Sequence, residues 1–130
     1  LCPNLIIGHD FHATRYLIIQ CAGRITIGGD VLIASNVFII DFNHGMSSWP
    51  MNYLFNELEV SDIEIGDGVW VGNNVIILSG VHIEEKTIIG ADSVVTKDIP
   101  LYCLAVGNPA RIIKKFDSHD NVWKSAKVIK

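Results

Sequence analysis

The sequence predicts an all-β fold, a parallel β-helix whose triangular coils stack into a prism, with one extended loop and a short helix at the C-terminus. Two periodicities and one interruption predict it. Aliphatic residues recur every six positions at Ile27, Ile33 and Ile39, and again at Ile65, Val71, Ile77, Ile83, Ile89 and Val95. Four residues after each stands a small or β-branched side chain: Val31, Val37, Val69, Val75, Val81, Thr87, Ser93 and Ile99, with Asn43 the exception. Between the two runs, residues 45–64 break the period.

Ile, Leu and Val make up roughly a third of the chain, so nine aliphatic positions in one frame arise by chance on the order of once in tens of thousands. The second position precedes the next aliphatic one by two residues, which puts both on one face of a short strand. A helix cannot meet this pattern, because six is not a multiple of its 3.6-residue turn and Val, Ile and Thr favour extended backbone. Gly or Ala follows the aliphatic residue at Gly28, Ala34, Gly66, Gly72 and Gly90, and Gly28-Gly29-Asp30 and Asp67-Gly68 supply corners. Three hexads make one coil, and stacked coils bury an aliphatic column that no single coil can hide.

In chain order, a weaker register before residue 27 predicts at least one further coil, residues 27–44 one coil, and residues 65–100 two. The excursion GMSSWPMNYLFNELEVSDIE carries Trp49, Pro50, Tyr53 and Phe55, and an irregular loop of that length is uncommon unless it has a function. The repeat ends at Pro100. The stretch FDSHDNVWKSAKVIK is expected to form a short terminal helix capped by Ser118 or Asp120, covering an end of the solenoid. The expected organisation is a β-helix domain over 1–115 with its loop at 45–64, and a helical extension over 116–130.

At 130 residues the chain is one domain, 49% hydrophobic, without an apolar stretch of membrane-spanning length. The formal charge is −4 and Lys114-Lys115 is too short a basic run to track phosphates, which argues against nucleic acid as partner. Cys2, Cys21 and Cys103 are odd in number and lack C-x-x-C spacing, so neither a disulfide framework nor a zinc knuckle is expected, and a reducing, cytoplasmic setting is. LCPNLIIGHDFHA has no signal-peptide pattern and no initiator Met, so the native chain is expected to begin earlier.

The stretch IEIGDGVWVGNNVIILSGVHI, followed by IIGADSVVTKDIP and AVGNPARIIKK, resembles the shared C-terminal half of the galactoside, maltose and polysaccharide O-acetyltransferases and the related xenobiotic acetyltransferases, all of the hexapeptide-repeat type. The likeness covers residues 63–115, and DFNHG at 41–45 extends it to the place of that family's catalytic histidine. It implies a left-handed β-helix, against the usual right-handed crossover. It also implies a homotrimer with active sites between adjacent subunits, acetyl-CoA as acyl donor, and no metal.

Acetyl transfer to a hydroxyl needs a base for the hydroxyl proton, placement of the oxygen against the thioester, and donors for the oxyanion. His44, at the end of a coil just before the loop, is the candidate general base. Asp41 is expected either to orient the imidazole or to cap the turn, and Asn43 to act as a turn residue; with Trp49 and Tyr53 these form the candidate acceptor site. By resemblance, acetyl-CoA meets Asn73, Ala91, Thr96, Lys97, Arg111 and Lys114, of which Lys97, Arg111 and Lys114 offer charge to its phosphates. Trp70 is expected to pack on the solenoid exterior or a neighbouring subunit.

The stretch HATRYLIIQ, where sugar-acetylating relatives carry an upstream polar residue, commonly Asn, does not align securely with theirs, and Trp49-Pro50 and Tyr53-Leu54-Phe55 only half match the Tyr-Pro-Phe element of the drug-modifying ones. A saccharide hydroxyl is the expected acceptor, with xenobiotic or amino-sugar N-acetylation as the alternative. A zinc-dependent carbonic anhydrase on the same solenoid would need three histidines. Those present are His9, His12, His44, His82 and His119, with only His9 and His12 close in sequence. A non-catalytic scaffold is the remaining reading, disfavoured by His44 together with the CoA-type C-terminal half.

Overall fold

The computed structural model describes residues 4–50 and 52–126, and these form a parallel β-solenoid with four coils. The first coil holds β1 (Leu5–Ile7), β2 (His12–Ala13) and β3 (Ile18–Gln20); the second β4 (Ile25–Ile27), β5 (Leu32–Ile33) and β6 (Phe38–Ile40). A hairpin of β7 (Phe42–His44) and β8 (Leu58–Val60) then leaves the solenoid. The third coil holds β9 (Ile63–Ile65), β10 (Trp70–Val71) and β11 (Ile76–Ile77), and the fourth β12 (His82–Ile83), β13 (Ile88–Ile89) and β14 (Val94–Val95).

Like strands stack into three faces. Face I is β1-β4-β9-β12, face III is β3-β6-β11-β14, and face II begins β2-β5-β10-β13 and continues through β15 (Cys103–Val106) into antiparallel β16 (Arg111–Asp117) and β17 (Val122–Ser125). All nine hexad residues are buried, as are Val31, Val37, Val69, Val75, Val81, Thr87, Ser93 and Ile99. The two buried hydroxyls are paired: Thr87 donates to the Pro100 carbonyl, and Ser93 donates to the Gly90 carbonyl while accepting from the Gly107 amide. Cys103 belongs to this core, where burial pushes its thiol pKa up.

The glycine after the inward aliphatic residue has a steric cause. A Cβ at Gly66 would lie 2.7 Å from the Glu85 backbone nitrogen, and one at Gly72 2.8 Å from that of Ala91. The next coil passes directly over these positions. At the I–II edge the chain turns through left-handed backbone at Asp10, Asp30, Gly68, Lys86 and Tyr102, and at the II–III edge at Tyr16, Asn36, Asn74 and Asp92. The III–I edge makes the same turn at Gly80, and both departures from the eighteen-residue coil occur on that edge.

Glu64 pairs with His82, eighteen residues on, but Leu5 pairs with Ile25, twenty residues on. The two additional residues fall in the corner 21–24. The large excursion leaves from the same edge one coil later, and it is a two-stranded hairpin with a single 3-10 turn at Tyr53–Phe55 rather than an irregular loop.

Two expectations are corrected. The C-terminal segment is not helical: β16 and β17 pair antiparallel around a turn in which the Asp117 carboxylate accepts the amides of His119 and Asp120 and Asn121 takes positive φ. Tyr102 stacks on Phe116, which meets Trp123 edge to face, at 6.1 and 5.4 Å between ring centres. Such cross-strand contacts outweigh the weak preference of so short a segment for helix. Residues 127–130 lie outside the described residues. Cys21 is disulfide-bonded, so the argument from cysteine spacing to a reducing setting does not hold; Cys2 lies outside the described residues. Among the described residues no helix is long and apolar enough to cross a membrane.

Candidate active site

His44 ends β7, paired with Leu58 of β8, and is exposed. Its Nδ1 lies 3.2 Å from the Tyr53 carbonyl oxygen. A carbonyl only accepts, so Nδ1 carries the proton of the neutral ring and Nε2 presents its lone pair. The loop that supplies this carbonyl is braced by Asn56, whose side-chain amide donates to the Gly45 and Ser47 carbonyls at 2.6 Å each. Sequence reasoning missed all three contacts, since each runs through backbone oxygens that no residue type announces.

The expected acceptor-site residues separate. Asp41 is fully buried, with its two oxygens accepting the Ala22 and Gly23 amides at 2.7 and 2.8 Å. It caps a turn and touches neither His44 nor solvent, which removes it from acceptor contact. Asn43 sits on the opposite side of β7 from His44 and donates to Ser79 Oγ at 3.2 Å, tying the hairpin to the next corner on the same edge. Trp49 is 83% and Tyr53 58% exposed, and with Met46, Leu54 and Phe55 they give the excursion an apolar tip bare to solvent in the single chain.

Of the six residues expected to meet acetyl-CoA, Asn73, Ala91, Thr96 and Lys97 fall on the borders of face III, and Arg111 and Lys114 on β16 in the face II sheet. Asn73 and Ala91 occupy consecutive coils at the II–III edge, where the Asp92 amide donates to the Asn73 carbonyl and the Asn73 side-chain oxygen accepts the Ser35 amide. The 107–110 turn closes over Val94 at that edge and leads into Arg111 and then Lys114 on β16. Thr96 and Lys97 lie at the III–I edge, which also carries the His44 hairpin. Between the borders run Ile18, Phe38, Ile76 and Val94, an apolar ladder on the outside of face III. Trp70 likewise points outward on face II, 49% exposed, between Leu32 and Ile88.

A separate groove lies on face I, lined by Thr26, Glu64 and His82 and by Asp62, Asp67, Glu84 and Glu85 around them. Five carboxylates make it a poor place for phosphates. Among the described residues, the one group of side chains close enough to share a metal ion is His9, Asp10 and Asp30, all exposed, with a single histidine. The three-histidine set of a zinc hydratase is not assembled there.

Residues 62–97 match the family described as bacterial transferase hexapeptide (six repeats). An Escherichia coli (strain K12) protein provisionally named a lipopolysaccharide biosynthesis O-acetyl transferase is 42% identical over 118 residues, which cover 85% of this chain and 60% of that protein. The crystal structure of a maltose O-acetyltransferase from Clostridium difficile 630 superimposes with a TM-score of 0.84 at 40% identity, over 89% of this chain and 61% of that one. A galactoside acetyltransferase in complex with coenzyme A superimposes with a TM-score of 0.85 at 35% identity, over 98% of this chain and 64% of that one. The chain thus spans about three fifths of the length of the relatives it matches. By repeat, register and fold it is similar to the hexapeptide-repeat acyltransferases.

Proposed function

We propose that this chain forms the catalytic β-helix of an acetyl-CoA-dependent O-acetyltransferase acting on a sugar or polysaccharide hydroxyl, with His44 as general base. The observation that carries the reading is the His44–Tyr53 hydrogen bond, which leaves Nε2 unprotonated in the neutral ring and free to accept a proton. The acceptor hydroxyl gives its proton to Nε2 as its oxygen bonds to the thioester carbon. The C–S bond then breaks and the CoA thiolate takes the proton from the imidazolium. The maltose and galactoside specificities named for the relatives support a saccharide acceptor. Trp49 and Tyr53, on the same excursion as His44, offer faces on which a sugar ring can stack, with Asn43 holding the base of the hairpin.

In this reading the pantetheine arm follows the apolar strip of face III, bordered by Asn73 and Ala91 on one edge and Thr96 and Lys97 on the other. Arg111, Lys114 and Lys97 supply positive charge to the phosphates. The exposed tip of the excursion and the apolar exteriors of faces II and III fit a homotrimer of left-handed solenoids in which a neighbour closes the cleft. No metal enters the chemistry, and dependence on acetyl-CoA suits a cytoplasmic site.

The test is CoA thiol release from acetyl-CoA with a panel of mono- and oligosaccharides, for the wild type and His44→Ala. Saccharide-dependent release is expected from the wild type only, at a rate lowered by about 100-fold or more in the variant, with CoA binding retained in both. Absence of CoA binding to the wild type would sink the reading.

A further inference from the structure

The III–I edge holds a buried carboxylate that the proposed chemistry does not use. The corner 21–24 carries the two residues by which the first coil exceeds the eighteen-residue repeat, and its Ala22 and Gly23 amides are taken up by the Asp41 side chain. The Asp41 backbone is fixed on both sides as well: its amide donates to the Gln20 carbonyl, and its carbonyl accepts the Ser61 amide on the returning leg of the hairpin. Gly23 is enclosed by the same groups. A Cβ there would meet Val60 Cγ1 at 2.5 Å, with Asp62 at 3.2 Å and the Asp41 carboxylate at 3.4 Å. Residue 41 is thus the last one held by the solenoid before β7 departs, and His44 follows three residues later.

We infer that Asp41 is a positioning residue, whose carboxylate locks the oversized corner against both legs of the excursion and so fixes the direction in which His44 leaves the prism. This rests on the acetyl-transfer reading. Two ionised oxygens facing two backbone N–H groups form a charge-assisted pair that asparagine cannot reproduce, because its amide nitrogen would confront one of them donor to donor. A shift at this joint reaches the imidazole without passing through the CoA strip of face III, so donor binding and turnover separate.

The experiment compares Asp41→Asn, Gly23→Ala and His44→Ala in the full chain, by acceptor-dependent thiol release and by CoA binding. Asp41→Asn and Gly23→Ala are expected to lower kcat by about 10- to 100-fold, the loss typical of a displaced catalytic group, while KM for acetyl-CoA and CoA affinity stay unchanged. Wild-type kcat in these two variants beside an inactive His44→Ala overturns the positioning role, as does a parallel loss of CoA binding. Full activity in His44→Ala instead overturns the general-base role of His44, and absence of CoA binding to the wild type the acetyl-transfer reading beneath it. Hydrogen exchange on the wild type tests the joint without any variant: the Ala22 and Gly23 amides are expected to be protected, and exchange at the rate of an open corner would refute the lock.

Discussion

Lys124 donates to Asp117 at 2.6 Å and also to Asp120, across the turn that joins β16 and β17. These contacts lower the Asp117 and Asp120 pKa values from 3.8, chiefly through the Lys124 hydrogen bond, and raise that of Lys124 from 10.5, chiefly through Asp117. The carboxylates titrate lower in the folded chain, so their contribution is present above pH 3.8 and is lost as pH falls through the folded values. Lys124 titrates higher, so its contribution is complete below pH 10.5 and disappears as pH rises through its folded value. Asp120 and Lys124 are exposed and Asp117 is half-buried, and the effect is confined to the hairpin. Amide exchange in β17, followed from about pH 7 down to about pH 3 and corrected for intrinsic rates, is expected to show increased opening at the acid end that Lys124→Ala lacks. Identical acid dependence in the two proteins would remove the cluster from any account of hairpin stability.

At the scale of the element, the coil spacing rests on glycines that admit the neighbouring backbone. Gly72→Ala would place a Cβ 2.8 Å from the Ala91 nitrogen and 3.0 Å from the Ile89 carbonyl oxygen. Rigid backbone cannot yield as a side-chain tip can, so a loss of about 1–3 kcal/mol is expected, read as a lower denaturation midpoint at unchanged slope. A wild-type midpoint would mean that the coils separate at little cost. The same geometry explains what the sequence disclosed. Each coil imposes the same steric demands, so Ile65, Val71 and Ile77 repeat in a frame that can be read directly, and Gly66 and Gly72 mark where coils touch. The C-terminal hairpin has no such repetition. Its turn is made by the Asp117 side chain, its first strand pairs with β15 across a bulge at Leu104/Ala105, and its aromatic series begins at Tyr102, outside the segment. DFNHG marks His44 as a candidate, but its Tyr53 partner acts through a carbonyl and the Asp41 partners are amides 19 and 18 residues upstream. Neither leaves a trace in residue type.

At the scale of the molecule, the three faces differ in what they turn outward. Face I presents Ile6, Thr26, Glu64 and His82 along its ladder, whereas face II presents His12, Leu32, Trp70, Ile88 and Leu104, and face III Ile18, Phe38, Ile76 and Val94. Two adjacent apolar faces meeting at one edge suit a ring in which face II of one copy packs on face III of the next, a heterologous contact that closes after three. Such packing would set the bare tip of the excursion and the strip of face III proposed for CoA beside a neighbouring copy, so assembly and turnover should fail together. Trp70→Asp puts a charge in the middle of the face II ladder, 49% exposed in the single chain, and is expected to shift the sedimenting species from three chains to one and to abolish acceptor-dependent thiol release. Glu64→Lys, on polar face I, is expected to leave both unchanged. The two variants separate the assembly argument from a general effect of surface charge. A monomeric Trp70→Asp protein that turns over like the wild type would show that one prism suffices for catalysis, and the apolar faces would then need another explanation.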